Sequence, residues 1–344
     1  MNNQQFASDN YAGMCPEALT ALTEANHGHA PAYGEDEWTR RACDAFRDLF
    51  GTDCEVFFVF NGTAGNALAL ASLCASYHSV VCHREAHVET DECGAPEFFS
   101  HGAKILLADG TDGRIDPEAL HALATRRTDL HFPPVRAVSV TQATEVGTVY
   151  RPDHLTLIQE VAGRLRLRFH MDGARFAQAV AFLDLPPAAV TWKAGVDVLT
   201  FGGVKNGLAF GEAVVFFNRD LARDFEYRCK QAGQLASKTR LLAAPWLALL
   251  ESGAWLRNAR HAHARARRLA AGLEGLPGCR VMFPVESNAV FLDAPAPVLE
   301  GLRARGWRFY TFIGVGGARL MCAWDTREDT VDAFLADART AAGA

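Results

Sequence analysis

Short apolar runs alternate along this chain with longer stretches whose apolar residues recur at helical spacing. Residues 35–50, "EDEWTRRACDAFRDLF", carry an apolar side chain every three or four positions and stop at Gly51, which predicts a helix with a glycine cap. "CEVFFVF" then predicts a buried strand, and "NGTAGNALALASLCASY" a turn feeding a helix. "SVVCH", "KILLAD", "RAVSVTQ", "LRFHMD" and "VDVLTFG" are further short runs rich in β-branched or aromatic residues. Helix-like stretches, "DPEALHALATRR" and "RPDHLTLIQEVAGRL", lie between several of them. The alternation predicts an α/β fold: a mainly parallel sheet covered by helices on both faces.

Beyond about residue 245 the texture changes. A long helical tract, "WLALLESGAWLRNARHAHARARRLAAGLEGL", precedes a strand "NAVFLDA", a helix-like "PVLEGLRARG", strands "WRFYTFI" and "RLMCAW", and a last helix ending near Ala342. This predicts a large domain over residues 1–245 and a smaller C-terminal α+β domain over 246–344. No internal repeat or low-complexity linker interrupts the pattern.

Charge and cysteine usage narrow the class of partner. A formal net charge of -6 leaves no basic excess to neutralise phosphates, so neither nucleic acid nor an anionic membrane is expected as a partner. The opening "MNNQQFASDN" lacks the basic and apolar regions of an export signal, and no apolar run reaches the roughly 20 residues that span a bilayer. The expectation is a soluble, cytoplasmic protein. Its nine cysteines form no CxxC pair, which predicts buried free thiols. The pair His261/His263 lies in a helical stretch where i and i+2 face apart, and His27/His29 has no acidic or cysteine ligand at metal spacing. Both pairs read as surface or structural, and no metal site is expected.

In a parallel α/β sheet, ligands collect beyond the carboxyl ends of the strands. Three features fall there. Asn61-Gly62-Thr63 opens a helix, where exposed N–H groups suit a phosphate or serve an ordinary helix cap. Asp172, followed three residues on by Arg175, is a functional carboxylate or half of a salt-bridged turn. Lys205 stands in "TFGGVKNGLAFGEAVVFF", between Gly203 and Gly207, where a turn needed for shape alone would do as well with Asn or Asp. A phosphate cradle, an acidic group and a strand-end amine together match what pyridoxal 5'-phosphate requires: an anion site, a carboxylate that keeps the pyridine nitrogen protonated, and an amine for a Schiff base. Burial of Lys205 among glycines and aromatics would favour the free amine and strengthen it as a nucleophile.

"SDNYAGMCPE", "NGTAGNALAL", "HREAHVETDECGAPE", "HMDGAR" and the lysine turn occur in this order over most of the chain and resemble the L-threonine aldolase family. Its subgroup is similar to the bacterial low-specificity threonine and phenylserine aldolases. The resemblance implies the pyridoxal-phosphate-dependent transferase fold of type I, a large domain around a mainly parallel seven-stranded sheet and a smaller C-terminal domain. It implies that Lys205 carries the cofactor, that Asp172 pairs with the pyridine nitrogen, that Gly62 and Thr63 hold the phosphate, and that His87 stacks on the ring. Ser8, Arg175 and Arg319 would bind the substrate carboxylate, a bidentate arginine clamp that fixes the Cα–Cβ bond against the ring. His131, in "TDLHFPP", would lie near the β-hydroxyl of the substrate, as a base or a positioning contact, and His87 is the other candidate base.

Two departures from the family pattern direct attention elsewhere. Val204 precedes the lysine where many relatives place a hydroxyl, so Lys230 or Lys238 is a source of further phosphate contacts, across a subunit interface. The acidic-Asn-Thr segment of relatives appears here as "TQATEVGTVY", leaving Gln142 or Thr144 to meet the phenolic oxygen of the cofactor. The implied reaction is retro-aldol cleavage of L-threonine, L-allo-threonine and related L-β-hydroxy-α-amino acids, phenylserine included, to glycine and an aldehyde, by a homotetramer built as a dimer of dimers. The alternatives are another reaction on the same scaffold, transamination or β-elimination, and a cofactor-free binding protein that kept the fold.

Overall fold

A computed structural model describes residues 5–311 and 317–343. Seven strands form the large sheet: β1 (Glu55–Val59), β2 (Ser79–His83), β3 (Lys104–Ala108), β4 (Val135–Thr141), β5 (Arg168–Gly173), β6 (Val198–Phe201) and β7 (Glu212–Phe216). Their spatial order is β1-β7-β6-β5-β4-β2-β3, with β7 alone running against its neighbours. The turn carrying Lys205 joins β6 to this reversed strand, so it opens beyond the carboxyl ends of the parallel strands, beside the end of β5.

The predicted first helix spans Glu37–Phe50. Asp36 caps it, accepting from Thr39 N at 2.8 Å, and Gly51 ends it at φ +60°, in the left-handed region that favours glycine. Its buried positions Thr39, Ala42, Phe46 and Phe50 keep helical spacing, and Phe46 packs its ring on Phe58, Phe201 and Trp246. Removing each such ring from water contributes about 1.5–3 kcal/mol. The helix Gly62–Leu73 is different. It is buried from Gly65 through Ala71 and so has no solvent face. A Cβ on Gly65 would meet the Thr200 methyl at 2.6 Å, so glycine lets this helix lie against β6 and bring its first turn to the strand ends.

The C-terminal sheet has four antiparallel strands in the order β10-β11-β9-β8: β8 (Arg280–Val281), β9 (Ala289–Asp293), β10 (Tyr310–Thr311) and β11 (Ala318–Met321). Phe6, from the N-terminal segment, fills its core against Trp307 and Phe334, and the Phe6 carbonyl accepts from Met321 N at 2.8 Å. Phe6 thereby ties the N-terminal segment to the C-terminal sheet.

Two expectations are corrected. The tract 246–276 is part of two helices, Arg240–Glu251 and Ala254–Glu274, broken where Gly253 takes φ +68°. The strand expected over 307–313 begins only at Tyr310 and is described through Thr311, residues 312 and 313 lying outside the described residues. All nine cysteines are free. Burial pushes the thiol of Cys43 up to about 11 and those of Cys54 and Cys74 up to about 12, so these behave as small apolar side chains. No described helix is long and apolar enough to cross a membrane.

Candidate active site

Lys205 sits in a single helical turn, Val204–Asn206, closed by Gly207 at φ +114°. The two glycines before it serve space rather than conformation. A Cβ on Gly202 would lie 2.4 Å from the Ala174 carbonyl oxygen, and one on Gly203 2.6 Å from both the Trp246 ring and Leu208. The turn is tied down on its far side. Asn206 Nδ2 donates to the Trp255 carbonyl at 2.7 Å, Asn258 Nδ2 donates to the Asn206 carbonyl at 3.0 Å, and Cys15 N donates to the Gly207 carbonyl at 2.8 Å.

Asp172 occupies the end of β5, buried, in register with Thr200 of β6. Its Oδ1 accepts from Ala174 N at 2.9 Å and its Oδ2 from Asn66 Nδ2 at 3.0 Å. The same Asn66 Nδ2 donates to Glu92 Oε1 at 2.8 Å, and that oxygen also meets His87 Nδ1 at 2.8 Å. One amide thus bridges two buried carboxylates, and the second carboxylate orients the histidine. Burial works against the imidazolium of His87, but Glu92, with Glu145 and Asp172 nearby, outweighs it and raises its pKa. Burial also raises the pKa of Glu92, assisted by Asp172 and opposed by His87 and Asn66.

A second cluster forms around the arginines. Arg175 donates through Nε and Nη2 to the two oxygens of Asp9 at 2.8 and 3.0 Å. Asn288, just before β9 of the C-terminal sheet, donates through Nδ2 to Asp9 Oδ2 at 3.0 Å and to the Cys322 carbonyl at 2.7 Å. Burial alone would raise the pKa of Asp9, but Arg175, Lys205 and Asn288 hold it below the usual range. Arg319, on β11, stands over the Tyr310 ring at 5.7 Å, and burial together with the charge of Arg175 lowers its pKa. Ser8 caps the short turn Asp9–Tyr11 through Asn10 N at 3.1 Å.

At the helix start, Asn61 Oδ1 accepts from Ala64 N at 2.9 Å and the Asn61 carbonyl from Gly65 N at 3.1 Å. The preceding N–H groups, those of Gly62 and Thr63, are the ones an anion would use. Lys205, Asp172, His87, Gly62, Thr63, Arg175, Ser8 and Arg319 all fall on elements that end at this side of the sheet or on the segments closing it.

His131 does not join them within the chain. It lies on an exposed loop running into the amino end of β4, opposite the end that carries Asp172. Lys230 stands over the exposed Tyr33 ring at 4.9 Å, on the helix Phe225–Gln231, and Lys238 is exposed. The proposed cofactor contacts of Gln142 and Thr144 are corrected. Both ends of the Gln142 amide are committed to the Tyr150 backbone at 2.9 Å, and the Thr144 hydroxyl is paired with that of Thr148 at 2.8 Å. Sequence reasoning missed Asn66, Glu92, Asp9 and Asn288. Three of them stand inside the stretches that carry the resemblance, close to residues it singled out: Asp9 beside Ser8, Asn66 beyond Thr63, Glu92 beyond His87.

The residues present fit pyridoxal phosphate. They offer a strand-end amine, a buried carboxylate already fixed on both oxygens, and open N–H groups at a helix start. Beside Asp172, Asn66 Oδ1 and Glu92 Oε2 are buried with no hydrogen-bond partner among the described residues, as expected of a lining built around a polar guest. Lys205 would hold its aldehyde carbon, Asp172 its ring nitrogen, and Gly62 and Thr63 its phosphate.

Comparison with known proteins gives the family and the fold. The beta-eliminating lyase family matches residues 5–296. A low specificity L-threonine aldolase of Pseudomonas sp. (strain NCIMB 10558) is 62% identical over 98% of this chain and 97% of its own. Another from Pseudomonas aeruginosa is 62% identical over 100% of this chain and 99% of its own. The solved structure of a Leishmania major threonine aldolase superposes with a TM-score of 0.91 at 27% identity, covering 97% of this chain and 98% of that one. The architecture is the type I fold of pyridoxal-phosphate enzymes.

Proposed function

The chain belongs to the threonine aldolases of the beta-eliminating lyase family, and we propose that it cleaves L-threonine, L-allo-threonine and related L-β-hydroxy-α-amino acids, phenylserine among them, to glycine and an aldehyde. The observation that carries this reading is the meeting of Lys205 and Asp172 with His87 and the arginine pair at one end of the sheet. When bound, pyridoxal phosphate supplies a conjugated, electron-withdrawing ring that takes up the electron pair left at Cα as the Cα–Cβ bond breaks. The chain supplies everything else.

Arg319 and Arg175, with Ser8, bind the carboxylate of the substrate and so fix the orientation of the bond to be broken. Asp9 and Asn288 keep the Arg175 guanidinium in one place, Asn288 reaching Asp9 from the C-terminal part of the chain. His87, with Nδ1 engaged by Glu92, keeps Nε2 to receive the proton of the β-hydroxyl. Asp172, fixed by Ala174 N and Asn66, keeps the ring nitrogen of the cofactor protonated. His131 serves the site of an adjoining subunit, in a cytoplasmic homotetramer. An exposed loop beside exposed Leu130 and Tyr77 supports that assignment.

The test is product analysis with L-threonine, L-allo-threonine and L-phenylserine, each with and without added pyridoxal phosphate. Equimolar glycine and acetaldehyde or benzaldehyde are expected. A 2-oxo acid with retained nitrogen would reveal transamination, and a 2-oxo acid with free ammonia elimination; either result replaces the reading.

A further inference from the structure

One buried ionisable group beside the lysine has no part in the mechanism above. Glu212 opens β7, pairs across to Val59 of β1, and is 5% exposed. Its Oε2 accepts from the backbone N–H of Gly203, in a short contact, and from that of Val204 at 3.3 Å. These N–H groups belong to the two residues immediately before Lys205. Gly203 and Gly211 are faced by Trp246 and Leu242 of the helix Arg240–Glu251, neither of which is titratable, and Trp246 Nε1 donates to the Gly211 carbonyl at 2.9 Å. The charged groups acting on Glu212 are Lys205, on the turn it holds, and Asp172, across β6.

We propose that Glu212 is the positioning residue of Lys205: its carboxylate anchors the lysine turn through the Gly203 and Val204 N–H groups, and its charge acts on the amine. The proposal rests on the reading of Lys205 as the cofactor-carrying residue.

The geometry gives the reason. Lys205 follows two glycines, the least constrained residues in the chain, and Val204 offers no side-chain hydrogen bond. Without an external acceptor the turn would have two unfixed N–H groups at its start. A carboxylate from the neighbouring strand supplies that acceptor and confines the amine to the strand ends. It also places a group of opposite charge near the amine. Burial pushes the Glu212 carboxyl up to about 7, against the pull of its two N–H donors and Lys205. Around neutrality, then, the carboxyl gains its charge, on the side of the turn from which Lys205 acts on it.

The test measures attachment of pyridoxal phosphate to Lys205 in the apoprotein. In that reaction the amine nitrogen bonds to the aldehyde carbon, whose oxygen leaves as water, and absorbance follows it without any substrate. Glu212→Gln keeps an oxygen for the two N–H groups and removes the charge. It should fold and bind cofactor, with the pH profile of the attachment rate altered around neutrality, where the wild-type carboxyl gains its charge. Glu212→Ala removes the anchor as well and should weaken cofactor binding about tenfold or more. The apoproteins give a second readout. A carboxyl whose folded-state pKa exceeds its unfolded value loses stability as pH rises between the two, so the melting temperature of Glu212→Gln should gain on wild type from pH 5 to pH 8. A profile unmoved in Glu212→Gln, or unchanged cofactor affinity in Glu212→Ala, overturns the proposal. Failure of the wild-type protein to attach cofactor at Lys205 would instead overturn the reading on which it rests.

Discussion

Asn66 is the residue on which the cofactor end of the site turns, because a single amide nitrogen is shared between Asp172 Oδ2 and Glu92 Oε1. Two buried carboxylates this close would repel if both were charged, and the donor between them, with His87 on the far side, lets them coexist. Glu92→Gln removes the charge that, with Glu145 and Asp172 nearby, does most to raise the His87 pKa against its burial. Activity on L-threonine should fall about tenfold or more. The acidic limb of the pH dependence of kcat/KM should move to lower pH, because His87 would then lose its proton more readily. An unmoved limb in an equally folded protein would show that Glu92 only packs. Asp9→Asn tests the other cluster. It leaves Arg175 buried without its counter-charge, which should destabilise the protein by roughly 2–4 kcal/mol and raise KM more than it lowers kcat. Chemical denaturation and steady-state kinetics on one preparation check both.

At the scale of elements, the glycines set where the lysine turn can lie. A Cβ on Gly202 meets backbone, the Ala174 carbonyl, while one on Gly203 meets side chains that can yield. Gly202→Ala should therefore cost about 1–3 kcal/mol and displace the turn from β5. Cofactor titration of the variant should show weaker binding, and affinity equal to wild type would mean that the Gly202–Ala174 approach does not set the position of Lys205. The helix Glu37–Phe50 was legible through its period of 3.6, and the strands as short, nearly continuous apolar runs, because most are buried on both faces. The break at Ser252–Gly253 was not, since the apolar pattern continues through both helices and a glycine within a helical run is tolerated. Asp172 and Lys205 could be found because each ends a recognisable strand. Glu212 escaped notice because it stands at the head of an apolar run, where a polar residue reads as a strand boundary. Asn66 lay hidden within a helix buried on every side. Bonds such as Asn66–Asp172, 106 positions apart in the chain, follow from the crossing of elements and leave no local signal.

At the scale of the whole molecule, the sheet has two ends and the candidate residues divide between them. Asp172 closes β5 at one end, whereas His131 enters β4 at the other. β4 alone spans Val135–Thr141, so at about 3.3 Å per residue the two lie roughly 20 Å apart along the sheet. No side-chain rotation bridges that distance. The loop bearing His131 is also fringed by Leu130, at 99% exposure, and Tyr77, at 66%, an apolar surface of the kind that oligomers cover. If His131 of one subunit serves Lys205 of another, variants defective in either residue should complement each other. His131→Ala and Lys205→Ala, each poorly active alone, would form mixed pairs in which one site keeps both groups. Random pairing makes half the dimers mixed and leaves half the sites in each intact, so coexpression should restore about one quarter of wild-type activity. A mixture no more active than His131→Ala alone would confine the chemistry to a single chain and leave His131 a surface residue.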